Sequence, residues 1–64
     1  MDYNYLSYRV KALQLELAEI ADHNRQYFAR KSHSSTAKAQ HRELRERVYQ
    51  IRAELRTLME RMAA

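Results

Sequence analysis

Both halves of this 64-residue chain repeat their apolar residues every seven positions, and that repeat restricts the fold to packed α-helices. In the first half Tyr3, Leu6, Val10, Leu13, Leu17, Ile20, Asn24 and Tyr27 fall at alternating steps of three and four. Written as a heptad, Tyr3, Val10, Leu17 and Asn24 take position a, and Leu6, Leu13, Ile20 and Tyr27 take position d. The second half repeats in a different phase, with Ala37, Leu44, Ile51 and Leu58 at d and His41, Val48, Leu55 and Met62 at a. Glycine and proline are both absent, so nothing in either half forces a helix to stop. Ala, Leu, Glu, Gln and Arg, all strong helix formers, fill the remaining positions.

The change of phase occurs across Arg30-Lys31-Ser32-His33-Ser34-Ser35-Thr36, a polar and serine-rich stretch. Ser34, Ser35 or Thr36 can cap a second helix, Asp2 is placed to cap the first, and Arg30 and Lys31 suit the first helix's negative end. The expected organisation is all-α and a single domain over 1–64. It is an antiparallel, coiled-coil-type hairpin with helix 1 over about 2–30, a turn over about 31–36 and helix 2 over about 37–63. One continuous helix with a three-residue stammer in its repeat is the alternative. Antiparallel coiled coils set a against d. Leu6 with Met62, Leu13 with Leu55, Ile20 with Val48 and Tyr27 with His41 satisfy that rule, and each pair's numbers total 68. The register one heptad away, at 61, obeys the rule as well. It brings Glu16 near Arg47 and Arg9 near Glu54, but it strands Tyr27 and Phe28 in the turn. Burial outweighs exposed ion pairs, so 68 is the expected register.

A chain this short buries only about 60% of its unfolded surface. With no cysteine to cross-link it, association with another chain is the remaining support. Helix 1 carries a second apolar surface for that purpose. Tyr5, Tyr8, Ala12 and Leu15 lie at steps of three and four on positions c and f, away from the seam. Helix 1 packing on helix 1 of a second chain makes a homodimeric four-helix bundle, with a tetramer as the next possibility. Asn24, polar and at an a position, is a candidate for fixing the register and the oligomeric state.

Charge is divided unevenly along the chain. Residues 1–29 carry three cations and four acids, whereas residues 30–64 carry nine cations and four acids. Lys38, Arg42, Arg45, Tyr49, Arg52 and Arg56 form one stripe on helix 2, about 27 Å long at roughly 1.5 Å per residue. Arginine suits phosphate or carboxylate recognition, and an interleaved aromatic ring can stack on a base. Arg42 with Glu46, Arg56 with Glu60 and, off the stripe, Glu43 with Arg47 are spaced to neutralise part of this charge.

Chemistry has little to work with. Glu19 and His23 share a face as an ordinary i,i+4 pair, and a di-metal bundle would need several inward carboxylates that the seams lack. His41 opposite Tyr27 can hydrogen-bond to its hydroxyl and reads as a core histidine rather than a ligand. No acid is placed to orient a histidine against the serines, and no phosphate loop forms without glycine. The chain is not expected to be an enzyme, and no cofactor, metal or small-molecule substrate is expected. No apolar run reaches the roughly 18 residues of a membrane span, and Met1-Asp2-Tyr3-Asn4 does not open a secretory signal. The cytoplasm is the expected compartment.

In size and plan the chain resembles Rop-type dimeric hairpins, which bind RNA, and small hairpin chaperones of secretion systems. The likeness is one of architecture and rests on no shared motif. Two functions are therefore expected in order: a homo-oligomeric bundle acting by protein–protein contact as scaffold, adaptor or chaperone, and nucleic-acid binding through the helix 2 stripe.

Overall fold

The computed structural model describes residues 3–64. Two helices, α1 (Tyr3–Ala29) and α2 (Ser35–Ala63), pack side by side as an antiparallel hairpin measuring 46 × 15 × 14 Å. The continuous-helix alternative is thereby removed. Ser34 caps α2: its backbone is extended (φ −68°, ψ 163°) and its Oγ accepts from Ala37 N–H at 3.1 Å. This cap starts α2 two residues earlier than expected and satisfies a donor that the first turn leaves over. The connection, residues 30–34, is made with no residue at positive φ, so the lack of glycine costs it nothing. Arg30 and Lys31 lie just beyond the last residue of α1, and Asp2, the expected cap of that helix, lies outside the described residues.

The core is narrow. Leu6, Leu13, Ile20, Ile51 and Leu58 are buried, with Leu13 and Ile51 fully enclosed. Every one of them is a d residue. The a residues Val10, Leu17, Val48, Leu55 and Met62, and Leu44 at d, are half-buried against this row.

The contacts across the helices draw on both registers: the two ion pairs named for 61 form, and Tyr27 keeps the His41 partner that 68 gives it. Arg9 grips Glu54 in a two-bonded fork at 2.5 and 3.0 Å, and Arg47 grips Glu16 in the same way at 2.5 and 2.8 Å. These are the two pairs that favoured sliding the helices.

The anticipated loss at the turn is smaller than expected. Tyr27 recovers contact by stacking between His33 and His41, with ring centroids at 3.7 and 4.0 Å and planes within 7° and 3°. Phe28 stands edge-on to Tyr27 and His41 and stays 70% exposed. The hydrogen bond expected between His41 and the Tyr27 hydroxyl is thus replaced by ring stacking.

Candidate functional site

Two surfaces lie outside the seam, one on each helix. On α1, Tyr5, Tyr8 and Leu15 are 55%, 72% and 62% exposed and Ala12 is half-buried beside them. A helix shows such a face when its apolar residues occupy more than the one stripe that its partner covers. On α2, Lys38, Arg42, Arg45, Tyr49, Arg52 and Arg56 are all exposed in one line.

The stripe keeps its charge. Arg42 with Glu46 and Arg56 with Glu60 do not close to ion pairs, and Arg47 turns away from Glu43 to reach Glu16 across the seam. Among the described residues, none of the five stripe cations makes an ion pair or a side-chain hydrogen bond. An exposed i,i+4 pair gains only about 0.3–0.5 kcal/mol, too little to hold two long side chains in one geometry. Arg47 escapes this limit because Glu16 offers a bidentate match across the helices.

The cross-helix pairs lie on the flank, away from the stripe. The hydrogen bond from Arg47 holds the Glu16 carboxyl below the ordinary carboxylate range, against some desolvation, and Arg9 does the same for Glu54. Both guanidiniums are pushed up in return, chiefly by the same hydrogen bonds.

Three polar atoms near the turn are covered and have no hydrogen-bond partner: His23 Nε2, Asn24 Oδ1 and His41 Nδ1. Asn24 is half-buried in the seam and opens onto a hollow of about 180 Å³ that Arg45, Val48, Tyr49 and Arg52 complete. A covered amide oxygen without a partner costs stability, as expected of a residue that penalises other registers. Glu19 and His23 make neither an ion pair nor a hydrogen bond. A second hollow of about 350 Å³, lined by His23, Tyr27, Arg30, His33 and Ser34 among others, lies against the turn. Among the described residues no group of three or more His, Asp or Glu side chains is placed to hold a metal ion. Among the described residues no helix is long and apolar enough to cross a membrane.

No family model, curated protein or solved structure matches this chain. Function is therefore argued from the two surfaces alone. Sequence reasoning found both but missed the part of His33 in closing the hairpin. The available signal was three ring-bearing residues, Tyr27, His33 and His41, straddling one short turn.

Proposed function

We propose that this chain is a small self-associating helical-hairpin protein that acts through protein–protein contacts, as a scaffold, adaptor or chaperone-like module. The outer face of α1 is its contact surface. The observation that carries this reading is the exposure of Tyr5, Tyr8 and Leu15 in one line beside a core of five buried residues among those described. Tyrosine is favoured at interfaces because its ring packs while its hydroxyl stays wet. Covering this face adds apolar burial that the seam alone does not supply. In the simplest form two hairpins come together as a four-helix unit.

Light-scattering mass tests the reading. Wild type is expected at a multiple of 7.7 kDa, and Tyr8→Glu with Leu15→Glu is expected at 7.7 kDa. A wild-type monomer at tens of micromolar, or an unchanged mass in the double variant, overturns it.

The unpaired cations of α2 favour a second reading, binding of nucleic acid along the stripe with Tyr49, 65% exposed, stacking on a base. Five phosphate contacts on a duplex predict a log–log salt slope of about −4 to −5, from roughly −0.9 per contact. Arg45→Glu with Arg52→Glu abolishes such binding. Absence of any RNA or DNA complex at low salt removes this reading.

A further inference from the structure

We propose that the arginine stripe of α2 is the dock for the outer face of α1 in a second copy of this chain, so that hairpins join head to tail in an open-ended row. This rests on the reading of α1 as the self-association surface and names what covers it.

The α1 face does not end at Leu15. Glu19 and Asp22 continue the same steps of three and four, and both are exposed. The face is therefore apolar for about 15 Å from Tyr5 and acidic beyond. The stripe on α2 has an apolar end as well, shorter than that of α1. From the open end of the hairpin it begins with Met59, 50% exposed over an apolar surface shared with Leu55 and Ala63, and continues into arginines.

The two cross-helix forks, Arg9 with Glu54 and Glu16 with Arg47, set the heights. To within about one residue Tyr5 then lies level with Met59, Leu15 with Tyr49, Glu19 with Arg45 and Asp22 with Arg42. Two hairpins standing side by side and pointing the same way thus set Glu19 and Asp22 against Arg45 and Arg42 and Tyr5 and Leu15 against Met59 and Tyr49, with Tyr8 and Ala12 left to pack on the aliphatic stems of Arg56 and Arg52. Turning one of them over sets Tyr5 and Tyr8 against the cations nearest the turn and leaves Glu19 and Asp22 at the apolar end.

The first half's own surface is a poorer partner. No cation lies on the α1 face from Tyr5 to Asp22. An α1-to-α1 contact therefore either covers the apolar 15 Å alone or brings Glu19 no cation from the facing stripe. The stripe offers five, all unpaired, whereas Glu19 is unpaired and Asp22 holds only the exposed Arg25 and Gln26 of its own helix.

Direction decides the form of the assembly. At about 100° per residue, each stripe is centred about 130° from the buried d row of its helix. Because the helices are antiparallel, the two stripes look out on opposite sides of the hairpin. One neighbour cannot cover both, so contacts repeat without closing.

Mixing of capped variants tests this directly. Tyr8→Glu with Leu15→Glu destroys the α1 face and keeps the stripe. Arg42→Glu with Arg45→Glu destroys the stripe and keeps the α1 face. Each alone is expected at 7.7 kDa, and their mixture as a one-to-one complex of twice that mass. Wild type is expected to grow past the dimer with concentration and to shrink in high salt. Because a glutamate variant can lose its helices for other reasons, a second pairing is needed. Glu19→Arg with Asp22→Arg, monomeric alone, is expected to co-assemble with the reversed stripe of Arg42→Glu/Arg45→Glu.

If Arg42→Glu/Arg45→Glu alone keeps the wild-type mass, α1 pairs with α1. The head-to-tail row is then overturned while the self-association reading stands. The same result with loss of RNA or DNA binding assigns the stripe to nucleic acid and also overturns the row. Mixtures of helical variants that do not combine overturn it as well, and a wild-type monomer overturns both readings.

Discussion

Leu13→Ala is expected to abolish the folded hairpin, with helical circular dichroism at micromolar concentration falling toward that of an unfolded chain. Leu13 is fully enclosed at mid-helix, as is Ile51 on the other helix. Truncating a buried leucine costs about 2–5 kcal/mol, from lost transfer free energy and the cavity left behind. A chain of this size has roughly 3–10 kcal/mol of stability in total at the usual 0.05–0.15 kcal/mol per residue. With five buried residues this hairpin belongs at the low end. Leu15→Ala, two residues further on, makes the comparison sharp. Leu15 is 62% exposed, so its loss should change the stability of one hairpin by no more than about 0.5 kcal/mol while lowering the associated mass. Both melts must be taken at one protein concentration, because association adds its own stabilisation. A Leu13→Ala melt within a few degrees of wild type would mean that the d rows do not hold the hairpin together.

The periodicity of the chain revealed the helices, their antiparallel return and the serine-rich turn, because each depends on which residue types recur and where the recurrence changes phase. It did not reveal the register. Sliding one heptad past another exchanges one set of Leu, Ile and Val for a near-identical set, so apolar pattern alone discriminates weakly. The decision falls to particular side chains. Arg9 and Arg47 each find a carboxylate that accepts a two-bonded fork, and Tyr27 keeps its contacts because two imidazoles close on its faces. Reach and ring geometry of that kind are not written in a heptad. The α1 face and the α2 stripe were each legible as steps of three and four. Their relative height was not, since it depends on which carboxylates Arg9 and Arg47 reach across the helices.

If the two forks set the register, acid should weaken the hairpin in a way that neutral side chains remove. The carboxyls of Glu16 and Glu54 are lowered in the fold by their hydrogen bonds from Arg47 and Arg9. A group with a depressed folded pKa contributes stability that is fully present above its unfolded value and is lost as pH falls through the folded value. Wild-type stability from this source is therefore complete at neutral pH and declines below the ordinary carboxylate range. Glu16→Gln with Glu54→Gln removes the contribution at every pH. Its melts should lie below wild type at pH 7 and converge with it near pH 2. Arg9→Glu with Arg47→Glu reverses the sign. It places carboxylates against carboxylates across the seam, so that variant should be least stable at neutral pH and gain as acid neutralises them. Urea midpoints of the three proteins from pH 7 to pH 2 carry the test. Parallel curves for wild type and the double glutamine variant would show that the forks follow from a register set elsewhere, with the d-row packing and the Tyr27 stack left as its cause.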